Sequence, residues 1–228
     1  MNKTKLLILS VLLLITTYVQ AQFYSIDKMY LSETGREIEF YIDVNEPKYI
    51  FYDLKTNEDN KKAIARLSSS DVNYLIRSLM KAQVKYEEWS KVAAEENCRF
   101  ISKRIPTPFK DQTIYFTDEN KWFREMGVDM KGMLSVDAFG KCNFVLQSDD
   151  MQSEESVGEI SSTGGIFVGG GKGIGGFFGS GSQMTITHYC SGASLTFKSI
   201  EEINEFIAKL QNALNWKNKN NSKKNIFK

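Results

Sequence analysis

A chain with one histidine and three cysteines has few routes to covalent chemistry. His188 and Cys190 stand two residues apart, just after Thr185-Ile186-Thr187, in a β-branched and aromatic run that reads as a strand. On a strand, residues i and i+2 share a face but sit about 7 Å apart, too far for the hydrogen bond that activates a thiol. Cys98 or Cys142 would have to approach His188 through the fold, and no local signature of the cysteine protease families is present. One histidine excludes a histidine-based metal cluster, and no cysteine pair has CxxC spacing. Asp149, Asp150, Glu154 and Glu155 lack the alternation and glycine of a calcium loop, so 148–156 reads as a solvated acidic loop. The paired carboxylates of glycoside hydrolysis lie far apart in sequence, and no motif favours such a pair. No cofactor and no metal is expected.

The second candidate is the segment 164–182, in which ten of nineteen residues are glycine. Gly171-x-Gly173-x-x-Gly176 matches a dinucleotide fingerprint in form only. That motif needs a helix after the glycines and an acidic residue about 20 positions on, and no acid follows Gly176 before Glu201. Glycines at this density cannot open a stable helix. Lys172 is followed by Gly173 where a phosphate loop has Ser or Thr. No nucleotide is expected to bind. The composition fits a flexible insertion between two strands, or a glycine-dense hairpin packed against another backbone. Yet Ile166, Phe167, Val168, Ile174, Phe177 and Phe178 are costly to leave in water. They make the segment a candidate contact element for self-association or for an envelope membrane.

Where such a segment works follows from the start of the chain. Lys3 and Lys5 precede the apolar run Leu6–Ile15, and Val19-Gln20-Ala21 supplies the small residues of a cleavage site. This is the layout of a secretory signal peptide over residues 1–21. The run is about half the roughly 20 apolar residues that span a bilayer. No cysteine near the site supports a lipid anchor. Export to the periplasm, cell surface or medium is expected. Of 29 basic residues the signal removes Lys3 and Lys5, leaving 27 against 28 acidic, so nothing draws the mature chain to nucleic acid. In an oxidising compartment one disulfide can form and one thiol is left over. A Cys142–Cys190 bond would close a loop of about 49 residues, worth roughly 4 kcal/mol by chain entropy, and would pin the base of the glycine-rich segment. The alternative is three buried small hydrophobes.

The elements that must position these groups come from periodicity. Ile38, Phe40, Ile42 and Val44 alternate along 36–44, and strands follow at 49–54 and 63–67. Ser68 and Asp71 form a capping box that opens a helix of about 25 residues, its stripe running through Val72, Leu75, Ile76, Leu79, Ala82, Tyr86 and Ala93. Period two returns at 98–105, 112–117, 121–126, 133–139 and 141–147, then at 185–189 and 194–197. Ser199 and Glu202 open a last helix striped by Ile203, Phe206, Ile207, Leu210, Ala213 and Leu214. The expected fold is α+β: an antiparallel meander sheet packed by one long helix and a C-terminal helix, with a Gly-rich inter-strand loop. The organisation is a signal over 1–21, a single α+β domain over 22–216 and a basic disordered tail over 217–228. The function expected is an exported, non-enzymatic binding or structural protein. The alternative is a secreted hydrolase using carboxylates or a Cys190/His188 site.

Overall fold

The structure is a computed structural model that describes residues 23–43, 47–159 and 183–224. The proposed signal peptide and the contact residues Ile166, Phe167, Val168, Ile174, Phe177 and Phe178 lie outside the described residues.

Alternation builds the first half of the sheet. Phe23–Leu31 (β1), Arg36–Asp43 (β2), Ile50–Thr56 (β3), Ala63–Leu67 (β4), Gln112–Asp118 (β6) and Lys121–Val128 (β7) pair antiparallel in that order. Ile38, Phe40 and Ile42 of β2 and Ile50, Tyr52 and Leu54 of β3 all turn inward. The second half runs Ile101–Arg104 (β5), Met130–Val136 (β8), Cys142–Ser148 (β9) and Ala193–Phe197 (β12). The halves join at β3, which forks. Its first residues pair with β2 (Phe40 opposite Tyr52) and its last with β12 (Ala193 opposite Thr56). Met151–Glu159 (β10) and Gln183–Cys190 (β11) stand apart as a two-stranded sheet.

Two helices fill the inside of the fork. Ser69–Glu95 (α1) begins at the capping box read from sequence: the Ser68 hydroxyl accepts the Asp71 N–H at 3.3 Å, and the Ser68 N–H donates to the Asp71 carboxylate at 3.0 Å. Ile200–Lys224 (α2) lays Ile203, Phe206, Ile207, Leu210 and Ala213 on the sheet. Phe206 is fully buried and meets both halves, with ring centroids 5.5 Å from Phe40, 5.4 Å from Tyr52 and 5.4 Å from Phe197.

The structure corrects three expectations and adds one strand. The 148–156 stretch is not a loop, because β10 starts at Met151. A strand at 23–31 went unread, since a bulge between Ser25 and Asp27 breaks its alternation. The tail does not leave the fold at Lys217. The helix runs on through Lys224, and Lys217 is buried, its ammonium donating to Ser69 Oγ at 2.6 Å and to the Lys48 carbonyl. Beside it Trp216 stacks on Tyr24 with centroids 5.2 Å apart. Finally, Cys98, Cys142 and Cys190 are all free thiols. Cys142 opens β9, whereas Cys190 lies past its far end, where Ser148 Oγ accepts the Ala193 N–H at 2.8 Å. The length of β9 separates them by about 20 Å, and a disulfide needs Cα atoms within about 7 Å.

Phe206→Ala removes the side chain that touches both arms of the fork. It should cost about 3–5 kcal/mol, measured by urea unfolding, with a larger loss than truncation of the half-exposed Trp122.

Candidate functional site

The β9–β12 ladder does not stop at the edge of the sheet. After Ser194 opposite Gln147 it breaks, and it resumes as Met151 opposite Cys190. Asp149-Asp150 on one side and Ser191-Gly192 on the other make the break. Gly192 has a φ of +67°, and a Cβ there would stand 3.2 Å from Asn57 Nδ2 and 3.3 Å from the Ser148 carbonyl. Only glycine fits both the conformation and the space. Beyond the break, β10 and β11 form an arm that continues β9 and β12.

The base of the arm is bolted to the turn after β3. The Asn57 N–H donates to the Gly192 carbonyl at 3.3 Å. Ser191 donates its N–H at 2.8 Å and its hydroxyl at 3.0 Å to one Glu58 oxygen. Lys61 sits between Glu58 at 2.9 Å and Asp118 at 3.3 Å, and also donates to the Tyr189 carbonyl. His188 is buried, with its ring stacked on Phe123 at 3.7 Å and an interplanar angle of 15°. Its Nδ1 lies 3.2 Å from Asp118. Its Nε2 comes within 3.4 Å of Glu155 but without hydrogen-bond alignment, and has no hydrogen-bond partner among the described residues.

These contacts set the charges. The Ser191 N–H and then Lys61 hold the Glu58 carboxyl below the usual range. Burial works to raise Asp118, but His188 and Lys61 together outweigh it and leave this carboxyl low. Burial likewise opposes the charge on Lys61, and Glu58 and Asp118 overcome it, so its ammonium is held above the usual lysine value. On β7, burial raises Glu125 although the Gln152 N–H donates to it.

The sequence candidates come to this junction without forming a reactive set. Cys190 is fully buried and points at the Gly192 carbonyl, 3.8 Å from its Sγ. Burial, with Glu58 nearby, pushes the thiol up to about 11, which opposes thiolate formation. Cys98 and Cys142 lie elsewhere. Cys142 faces the Ser90 carbonyl of α1, and the Cys98 N–H donates to the Ala93 carbonyl at 2.8 Å. Asp149 pairs with Lys131, Asp150 accepts the Tyr189 hydroxyl at 2.6 Å, and Glu154 is exposed. Among the described residues no group of three His, Cys, Asp or Glu side chains could hold a metal ion.

One concavity lies at the junction and another lies away from it. An open, polar cleft of about 430 Å³ lies at the break itself, lined by Asn57, Gln147, Ser148, Asp149, Asp150, Ala193 and Ser194. A more apolar groove of about 330 Å³ crosses the outer face of the sheet over Phe23, Phe51, Ile64, Tyr115 and Trp122, with Arg66 and Arg124 beside them. The Arg66 guanidinium lies over the Tyr49 ring at 4.2 Å. The residues missed from sequence are Glu58, Lys61, Asp118 and Phe123. They are ordinary turn and strand residues, and only the topology brings them to His188.

Against known protein families, curated proteins and solved structures, the chain finds no match.

The junction carries a pH signature. Glu58 and Asp118 are low when the arm is docked. The stability they lend is complete above the ordinary carboxylate range near pH 4 and drains away as the pH falls through their lowered values. Lys61 is raised, so its share persists until the pH climbs past the ordinary lysine value of about 10.4 and through its own. Lys61→Met leaves Glu58 and Asp118 without their shared cation. It should loosen the arm by about 1–3 kcal/mol, read as roughly fivefold or greater acceleration of amide exchange in β10 and β11.

Proposed function

We propose that the chain is an exported, non-enzymatic binding or structural protein whose contact element is the arm. One observation carries this reading: the arm is a separate two-stranded sheet that departs from the body at a fixed break. The groups with which an enzyme would work are spent on holding it there. The single histidine braces the arm against Asp118 and Phe123, and Glu58 and Lys61 tie down its return strand. The contact element we propose is the sequence that links the two strands of this arm. Here that is the run of glycines with Ile166, Phe167, Val168, Ile174, Phe177 and Phe178. Self-association or contact with the envelope is the use such side chains suggest. Among the described residues no helix is long and apolar enough to cross a membrane.

The second reading, a hydrolase built on His188, has in its favour the Asp118–His188 contact of 3.2 Å, the pairing that orients a catalytic imidazole. Among the described residues it lacks a nucleophile within reach: the nearby thiol is turned to Gly192, and Nε2 faces Glu155.

Deletion of 164–182 decides between the readings. With the arm as contact element, the shortened protein keeps its melting temperature and loses association with its partner, whether itself or lipid vesicles, by size-exclusion chromatography with light scattering and vesicle co-sedimentation. Hydrolysis of generic ester or peptide substrates that vanishes in His188→Ala would favour the enzyme.

A further inference from the structure

The two edges of the arm differ, and the difference identifies a partner. Along an antiparallel strand the peptide groups of alternate residues point to the same edge. Tyr189 fixes the phase of β11. Its carbonyl accepts Lys61 and its N–H donates to the Asp118 carboxylate, both groups of the body, so its peptide groups point away from β10. Gln152, opposite Tyr189, sends its N–H to Glu125 and so points away from β11, as this phase requires. Counting back by twos, Thr187, Thr185 and Gln183 turn their N–H and C=O groups to the outer edge of β11. The bulge between Ser156 and Gly158 inserts its extra residue into β10, so the phase of β11 is unbroken. Among the described residues no strand pairs with this edge.

The edges also differ in charge. β10 carries Glu154, Glu155 and Glu159, the kind of charge that keeps an edge from pairing. β11, from Gln183 to Cys190, holds no Asp, Glu, Lys or Arg. Its outer part is β-branched, and Thr185, Ile186 and Thr187 are exposed. An isolated two-stranded ribbon is marginal in water, yet among the described residues nothing pairs with this edge.

We propose that the outer edge of β11 docks a second copy of this chain, the two β11 strands pairing antiparallel about a two-fold axis. The charge pattern selects that occupant: the β11 edge meets itself without like-charge cost, whereas two β10 edges would oppose glutamates. Tyr189 sets the limit of the pairing, because Lys61 and Asp118 already hold its peptide groups. The register that uses the rest places Thr185 opposite its symmetry mate and Gln183 opposite Thr187, with about six interchain hydrogen bonds. Threonine pairs across strands are favourable. The product is a four-stranded sheet with its acidic β10 strands outermost. This inference rests on the arm being a contact element, and adds a contact on the strand itself to that of 164–182.

The test is sedimentation velocity of the chain from Gln22 to Lys228, as a function of concentration, beside Thr185→Lys, Thr185→Pro and the 164–182 deletion. Thr185→Lys sets like charges opposite one another at the two-fold without touching the backbone. Thr185→Pro removes only an N–H that points outward, and proline is tolerated at such edges. The expected result is a wild-type dimer that weakens at least tenfold in both Thr185 variants, with circular dichroism and melting temperature unchanged. A Thr185→Lys dimer as tight as wild type, lost only in the deletion, overturns the edge and leaves the arm reading in place. A wild type that stays monomeric overturns the edge, and monomers that also ignore vesicles remove the arm reading as well.

Discussion

Everything peripheral in this molecule hangs on the short ladder between β12 and β3. Only Ala193 opposite Thr56 and Ser194 opposite Lys55 form it. Yet it is the ladder that closes one ten-stranded sheet from two halves that the chain also joins at Asp129, between β7 and β8. It is reinforced where it ends. Thr56 donates its hydroxyl to the carbonyls of Glu58 at 2.6 Å and Lys61 at 2.8 Å, shaping the turn that in turn holds Ser191 and Gly192. Because β12 is anchored there, β11 must leave the body at the Gly192 break, and the arm's direction is settled by a few hydrogen bonds near Thr56. Phe206 works from the other side of the same joint, filling the space between Phe40, Tyr52 and Phe197.

The electrostatics of the junction follow from the cost of taking charge out of water. Lys61 is largely buried, with 11% of its side chain exposed, and an ammonium so placed needs partners. Glu58 and Asp118 supply them from opposite sides, and one cation thereby links the turn after β3 to the end of β6. Asp118 then has a second duty toward His188. A carboxylate shared between an ammonium and an imidazole is stabilised in its charged form. That suits a brace and does not make a base that takes up protons near neutrality. The same burial that stabilises Phe123 against His188 lifts the Cys190 thiol out of reach of ionisation. The geometry that fixes the arm therefore argues against a thiol enzyme in the same place.

How much of this was legible in the sequence depends on whether a residue's role is local. The capping box at Ser68 and Asp71, the stripes of both helices and most strands of the sheet rest on spacing alone, and the α+β meander packed by two helices is what folds. β10 was hidden because its described residues beyond Met151 are exposed or half-buried, which leaves no apolar and polar alternation to read. β1 was hidden by its bulge, which moves the inward face by one residue. The helical tail did leave a signal. Lys217 continues the spacing of Ile203, Leu210 and Ala213, and a lysine can bury its stem while its ammonium finds oxygen atoms. The composition of 217–228, with its asparagines and lysines, outweighed that single position. The bracing residues had no signal at all, since Glu58, Lys61, Asp118 and His188 span 70 residues between Asp118 and His188 alone.

The bracing is also unequal along the arm, and that inequality carries a consequence. Every described tie from the body reaches the part nearest the break: Gln152, Glu155, His188, Tyr189 and Ser191. Thr185, Ile186 and Thr187 are exposed, and beyond the Glu155–Ile186 pair no described tie from the body reaches β10 or β11. A two-stranded ribbon gains no sheet face to bury and cannot settle the entropy of its own ordering from two strands of hydrogen bonds. The inner half borrows its order from the body through buried His188 and Met151. The outer half has no such source within the described chain, so a lasting ordered state there calls for contacts from outside the fold, and the chemistry of its edges decides which contacts those can be.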